Sequence, residues 1–367
     1  MQFFLARHFG FCYGVENAIE ISYNALEENQ DRRVFLLSQM IHNQEVNHDL
    51  VGRGIRFIMD TDGTQLIPWY ELHPDDVVII PAFGTTVEIE NLLLDKGLEV
   101  QKYNTTCPFV EKVWNRSEKL GKADYTVIIH GKPKHEETRA TFSHSAINAP
   151  SVVLRDMHEA IALGDIIKGN KPVEAFYELF PGRASQGFNP SLHLQRVGVV
   201  NQTTMLASET QEIADYFRNV MIEKYGIEHV KEHFADTRDT LCYATNDNQD
   251  ATYQLLNTDA DLAIVVGGYN SSNTSHIVEL CERKFPTYFI NSDSEIKSKE
   301  EIHHFDFHNR KKLVTRGFIP QKSPVRVVLT SGASCPDTLV DRVLLKVLSL
   351  FPETKPVEQL LEELESA

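Results

Sequence analysis

The sequence has no long hydrophobic run. Its apolar stretches, such as LAIVV at 262–266 and VVII at 77–80, fall far short of the roughly 20 residues that a membrane helix needs. The N-terminus, MQFFLARHFGFC, has none of the charged, then apolar, then small-residue layout of a secretory signal. A cytoplasmic protein without a membrane partner is therefore expected. Basic charge is scarce too: 36 Lys and Arg stand against 52 Asp and Glu, a net charge of −16. Such a surface repels a phosphate backbone, which argues against a nucleic-acid partner while leaving small phosphorylated ligands compatible. Cysteine is limited to five residues, and no CxxC pair occurs. An odd count without secretory context does not read as a disulfide framework, so metal or redox chemistry becomes the open question. No GxGxxG follows an apolar run, so no flavin or nicotinamide fingerprint is present.

What the chain does have is length and repetition. Its 367 residues exceed what one core usually organises, and 42% apolar with 24% charged residues is ordinary globular composition. One unit recurs: a short apolar run, a loop rich in Gly, Ser, Thr, Asn or His, then an amphipathic helix. VVIIPAFGTTVEIENLLL from 77, YTVIIHGKPKHEETRAT from 125, RVGVVNQTTMLASETQEIADYF from 196 and LAIVVGGYNSSNTSHIVELCERK from 262 are clear examples. Buried parallel strands of an α/β fold look like this, and ligands then belong at the carboxyl ends of the strands. The expected division is three α/β domains with mainly parallel sheets, at 1–102, 103–237 and 238–367. Residues 165–196 carry Gly, Pro and aromatics without period and read as a surface insertion or lid. The tail from 353 reads as an acidic amphipathic helix.

Cys12 in GFCYGV, Cys107 in TTCPFV and Cys242 in TLCYAT share one context, a loop that opens a helix, and fall one per expected domain. A thiol at a helix N-terminus is expected to have a lowered pKa, favouring the metal-binding thiolate. Cys281 lies on the apolar face of HIVELCERKF and reads as core, and Cys335 in SGASCPD as a small filler. Three thiolates cannot close a tetrahedral zinc site unless a histidine completes it. They can hold three irons of a four-iron cluster and leave the fourth open, as a Lewis acid for a substrate oxygen.

Two of the 15 histidines stand in distinctive loops, His42 in QMIHNQEV and His135 in HGKPKHEET. Each could be structural or could bind an anion. Glu137, two residues beyond His135, is either a proton donor or a favourable charge in a first helical turn. The loops NQTT at 201–204, NSSNTS at 270–275 and GAS at 332–334 precede helices, where hydroxyls and amides either cap the helix or bind an oxyanion.

In this order along nearly the whole chain, GFCYGV, IHN, TTCPFV, HEET, NQTT, CYATNDNQ, VGGYNSSNTSH and SGASCPD closely resemble the 4-hydroxy-3-methylbut-2-enyl diphosphate reductases. These enzymes catalyse the last step of the non-mevalonate isoprenoid pathway. The resemblance implies three α/β domains arranged as a trefoil around one central 4Fe–4S cluster, with Cys12, Cys107 and Cys242 as its ligands and one iron open to the substrate. It implies that Glu137 and Thr203 deliver protons, with Thr203 also touching substrate. His42, His135, Ser271, Ser272, Asn273 and Ser334 would hold the diphosphate.

Many bacterial members of that family carry a histidine where this chain reads PAFGTT, so Phe83 removes one contact to the diphosphate. AFG in this loop and the segment at 165–196 point to the plant and cyanobacterial branch, for which a processed plastid protein is the alternative to a bacterial cytoplasmic one. The implied reaction removes the hydroxyl of a small allylic diphosphate, with ferredoxin or flavodoxin as electron donor. The rivals are a non-redox iron–sulfur hydro-lyase, which would turn over without reductant, and an iron–sulfur sensor, which would need no diphosphate pocket.

Overall fold

The computed structural model describes residues 1–6, 10–237 and 240–351, so the expected tail helix lies outside the described residues. Two compact units result, residues 12–246 and a second made of residues 1–11 with 247–367. Thirteen described strands run in chain order. They begin with β1 (Gln2–Leu5), β2 (Val34–Leu36), β3 (Arg56–Phe57), β4 (Val77–Ile79) and β5 (Thr126–His130). β6 (Ser151–Leu154), β7 (Val197–Asn201), β8 (Phe234–Ala235) and β9 (Leu262–Val266) follow. β10 (Thr287–Ile290), β11 (Glu301–Asp306), β12 (Lys311–Arg316) and β13 (Arg326–Ser331) complete the set.

Eight helices position the site or its core. They are α1 (Tyr13–Glu28), α2 (Pro108–Lys122), α3 (Glu136–Asn148), α4 (Met157–Lys168), α5 (Ala207–Tyr225), α6 (Tyr243–Leu255), α7 (Ser272–Glu282) and α8 (Asp337–Ser349).

The unit of residues 12–246 holds two parallel sheets, β3-β2-β4 and β6-β5-β7-β8. The apolar runs at 126–130 and 197–201 are buried throughout, as strands covered on both faces must be. The other unit holds the parallel sheet β1-β13-β9-β10 and the antiparallel hairpin β11-β12. The fold class is thus α/β with mainly parallel sheets. β1 pairs with β13, Gln2 opposite Arg326, so the first strand belongs to the last sheet although it lies in the segment 1–102.

Helix faces follow the apolar period. Val15, Ala18 and Ala25 of α1 are buried, as are Leu339, Val340, Val343 and Val347 of α8. Residues 165–196 are a correction. Phe176, Phe180, Phe188 and Leu194 are at most 6% exposed and share one core with residues of α4, α5, β6 and β7. The segment fills a core and is no lid, because aromatics without helical period can still pack from turns and short helices.

Candidate functional site

Each of the three singled-out cysteines stands immediately before a helix. Cys12 is the N-cap residue of α1 and Cys107 that of α2, whose first helical position is Pro108, while Cys242 precedes α6, where its carbonyl accepts from Asn246 N at 3.1 Å. All five cysteines are free thiols. Gly14 is needed where it is: a Cβ there would stand 2.7 Å from the Cys107 sulfur, so the first turn of α1 lies against that thiol.

Burial raises all three thiols. For Cys107, burial comes first and the nearby Cys242, Cys12 and Glu137 add to it against an opposing Phe109 amide, reaching about 12. For Cys12, burial outweighs the amides of Val15 and Gly14, and for Cys242 it outweighs those of Thr245 and Ala244. The expected lowering is therefore overturned. The helix N–H groups do favour the thiolate, but desolvation is larger. Cys281 and Cys335 are wholly buried among apolar side chains, consistent with filler roles.

Glu137 follows from β5, the loop 131–135 and α3. His135 caps α3, its Nδ1 accepting from Glu137 N at 3.2 Å. The Glu137 side chain is 1% exposed, and its Oε1 accepts from the Thr203 amide at 2.5 Å. Burial, opposed by the Thr203 amide and hydroxyl, raises its pKa to about 7. Thr203 lies in the loop after β7, and its carbonyl accepts from Cys242 N at 3.5 Å. One short loop thus links the carboxyl to the backbone of Cys242. Gln202, which motif reading did not single out, fixes that loop: its Oε1 accepts from Lys132 N at 3.1 Å and Thr138 Oγ1 at 2.9 Å.

His42 comes from the loop after β2, held by Asn47, whose Oδ1 accepts from Met40 N and whose Nδ2 donates to the Ile41 and Asn43 carbonyls. Its Nε2 lies 3.2 Å from His135 Nε2. Burial, aided by the charge of Lys132, lowers His42 to about 4; burial, then His42, Lys132 and Arg139, holds His135 well below the usual imidazole range. Both rings are therefore neutral at neutral pH, and their tautomers follow. His135 accepts at Nδ1, so it carries its proton at Nε2 and donates it to His42 Nε2. His42 must then carry its proton at Nδ1, a buried donor without a hydrogen-bond partner.

Phe83 stacks on His42, with centroids 4.5 Å apart and planes at 25°, and meets His135 edge-on. It supports the pair rather than adding a charge. Its loop turns at Gly84, whose φ is +72° and whose missing Cβ makes room for Trp114. Glu136 was overlooked. Its carboxylate lies 4.0 Å from His42 Nε2, both oxygens lack a hydrogen-bond partner, and burial raises it to about 8. The doubled acid of HEET was the available signal, since one carboxylate suffices for a helix start.

In the other unit, Ser271 is the N-cap of α7 and accepts from Thr274 N at 3.2 Å and Thr274 Oγ1 at 2.9 Å. The capping role is thus realised for Ser271. Thr274 packs where a Cβ on Gly267 or Gly332 would collide with it, so the loops after β9 and β13 meet around it. Ser272 is 2% exposed and its hydroxyl has no hydrogen-bond partner; Asn273 is also buried, and Ser334 lies in the second of these loops.

Residues 3–348 match the family described as LytB protein. The chain belongs to that family. Proteins named 4-hydroxy-3-methylbut-2-enyl diphosphate reductase from Synechococcus sp. (strain RCC307) and Prochlorococcus marinus (strain MIT 9211) are 40% and 39% identical to it. The alignments cover 94% and 95% of this chain and 83% and 84% of those proteins. A solved structure of E-1-hydroxy-2-methyl-but-2-enyl-4-diphosphate reductase from Plasmodium falciparum matches with a TM-score of 0.68 at 20% identity, over 100% of this chain and 98% of that one. A second structure, titled (E)-4-hydroxy-3-methyl-but-2-enyl diphosphate reductase, matches with a TM-score of 0.55 at 24% identity over 95% of this chain and all of that one. Family membership agrees with the resemblance carried by the motifs.

Among the described residues no group of three His, Cys, Asp or Glu is close enough to hold a single metal ion. Thiolates on separate irons of a larger cluster stand farther apart than the ligands of one ion. Three mutually coupled, half-buried thiols at helix N-termini fit such a cluster.

Proposed function

We propose that this chain reduces (E)-4-hydroxy-3-methylbut-2-enyl diphosphate to isopentenyl and dimethylallyl diphosphates, taking up two electrons and two protons and releasing water. The observation that carries the reading is a buried carboxyl, Glu137, tied through one loop to the backbone of Cys242, one of a three-cysteine set. Cys12, Cys107 and Cys242 would hold one 4Fe–4S cluster, which when bound supplies electrons and a Lewis-acidic iron for the substrate's hydroxyl. Their raised pKa values mean that the thiols give up protons as metal arrives, so loading is favoured by higher pH.

Glu137 does the acid work. Near pH 7 a large fraction of it keeps its proton, the Thr203 amide fixes Oε1, and a departing hydroxyl needs that proton to leave as water. The neutral His42–His135 pair offers the unpaired Nδ1–H of His42 to a diphosphate oxygen. Ser272, Asn273 and Ser334, with Ser271 already engaged as a cap, are the hydroxyl and amide contacts to diphosphate that the family resemblance implies. The divisions 1–102, 103–237 and 238–367 then each contain a parallel sheet and one cysteine of the set, with β1 lent to the third. No described helix is long and apolar enough to cross a membrane, which suits a bacterial cytoplasmic or plastid stromal enzyme served by ferredoxin or flavodoxin.

Anaerobic purification with iron and sulfide analysis, followed by turnover of the diphosphate with a chemical reductant, tests this. About four irons and four sulfides per chain with reductant-dependent turnover is expected. Turnover without reductant would point to the hydro-lyase instead.

A further inference from the structure

Glu136 is a buried titratable group that the chemistry above leaves unused. It is the first residue of α3, a place where a carboxylate ordinarily accepts from free helix amides. Here the cap is His135, which takes the Glu137 amide. Both Glu136 oxygens are buried without a hydrogen-bond partner, and the side chain is 5% exposed. Arg139, on the same helix, is committed elsewhere: its guanidinium donates to the carbonyls of Thr61 at 3.0 Å and Asp62 at 3.1 Å. Burial, opposed by the Ser38 hydroxyl and the charge of Arg139 and reinforced by Asp60, raises Glu136 to about 8. At neutral pH it is therefore a carboxylic acid with an O–H to donate.

That O–H stands beside a ring nitrogen. Glu136 Oε2 is 4.0 Å from His42 Nε2, the same atom that accepts the His135 Nε2–H across 3.2 Å. A carboxyl shift of about 1 Å closes the gap to an ordinary hydrogen bond. Once His42 Nε2 is so occupied, the His135 proton is free to point elsewhere. Phe83, the third ring of the cluster, has no donor to offer.

We propose that Glu136 is a positioning residue of the diphosphate pocket: its carboxyl O–H takes over His42 Nε2 when the diphosphate binds, which frees the His135 Nε2–H to join the His42 Nδ1–H on the ligand. This role rests on the reductase reading above. Every group keeps its proton, and only hydrogen bonds are exchanged: the His135–His42 bond gives way to a Glu136–His42 bond and a bond from His135 to the ligand. A charged Glu136 cannot donate, and it places a negative charge beside a ring that must receive an anion. Burial first, then Lys132 beside His42, and His42, Lys132 and Arg139 beside His135, keep both rings neutral above pH 7. Glu137, one position on, changes charge lower, at about 7.

The test is calorimetric titration of the cluster-loaded protein with the diphosphate substrate, anaerobically and without reductant, so that binding is read apart from turnover. In the unaltered protein Glu136 should weaken binding about 10-fold between pH 7 and pH 9, since roughly a tenth of the molecules keep its proton at pH 9. The last ionisation of a phosphate ester, near about 6, lies below this range. Glu136→Gln replaces the O–H with an N–H, so it should match the unaltered affinity at pH 7 and show a fall about 10-fold smaller toward pH 9. Glu136→Leu keeps the bulk without a donor and should bind roughly 10-fold more weakly at pH 7. Glu137 titrates in all three proteins, so differences among them isolate Glu136. Full affinity in Glu136→Leu would reduce the residue to filler. A Gln variant as weak as the Leu variant, or one with the unaltered fall toward pH 9, would equally overturn the role. If Glu136→Leu fails to fold, the pH profile of Glu136→Gln decides alone. Absence of binding by the unaltered protein at both pH values would sink the reductase reading, and this role with it.

Discussion

The two units put one local device, a loop at the carboxyl end of a parallel strand leading into a helix, to different uses. In residues 12–246 the device ends in titratable side chains that are buried and poorly satisfied: Glu137 raised to about 7, Glu136 without hydrogen-bond partners, His42 with an unpaired Nδ1. In the other unit it ends in hydroxyls and amides, and Ser271 spends its side chain on the Thr274 amide. Cysteine divides in the same way, into coupled thiols before helices in the former and apolar filler in the latter. Strongly shifted carboxyl and imidazole groups gather in the first, whereas the second buries mainly hydroxyls and amides beside the His276–Glu279 pair at 2.7 Å.

The sharpest way to break this contrast is to exchange sulfur for oxygen on both sides. Cys107→Ser should abolish bound iron and turnover, because a serine is a poor iron ligand. Cys281→Ser should keep the iron and cost about 1–3 kcal/mol of stability, since a hydroxyl is left in an apolar core. Iron analysis and melting of both variants decide it; loss of iron only from Cys281→Ser would reverse the assignment.

A smaller effect is expected at the carboxyl. Glu137→Gln should retain iron and substrate affinity yet lose about 10²- to 10⁴-fold in turnover. In the unaltered protein the acid-dependent rate should fall as pH rises through about 7, where Glu137 gives up its proton. A pH profile of single turnovers measures this, and near-normal rates in Glu137→Gln would dismiss the acid role.

Within the serine loop the two neighbours should separate. Ser272→Ala should weaken diphosphate binding by roughly 10-fold with little change in melting, whereas Ser271→Ala should lower stability by about 0.5–2 kcal/mol. Calorimetric titration beside thermal melting reads both, and identical behaviour of the two variants would erase the distinction.

The smallest effect concerns pH and folding of the metal-free protein. Glu136 and Glu137 have raised native pKa values, so between their unfolded value of 4.5 and about 7 to 8 the native state binds more protons than the unfolded state. The contribution of these two carboxyls should therefore decline as pH climbs through that window, opposed below the ordinary imidazole value of 6.5 by His42 and His135, whose pKa values are lowered. Glu136→Gln should flatten the decline, and an unchanged slope in urea titrations at pH 5 and pH 8 would show that Glu136 does not carry it.

Much of this was legible because it is local. Continuous Val and Ile runs at 126–130 and 262–266 announce buried strands, and a repeated cysteine before a helical pattern announces the thiol set. What stayed hidden depends on distant neighbours. That desolvation outweighs helix N–H groups at Cys12 cannot be seen from a helix start alone, and the stacking of Phe83 on His42 joins residues 41 positions apart. The packing of Phe176, Phe180 and Phe188 into a core was missed because an irregular segment offers no period to read.

The pairing of β1 with β13 has a consequence for biosynthesis. Gln2–Leu5 is synthesised long before its partner Arg326–Ser331. Residues 12–246 can collapse during synthesis, while β1 waits with an unpaired edge until β13 has been made. Contacts of such sequence separation are slow to form, so this sheet closes late, and a truncation that removes β13 leaves the apolar strand β1 open to aggregation.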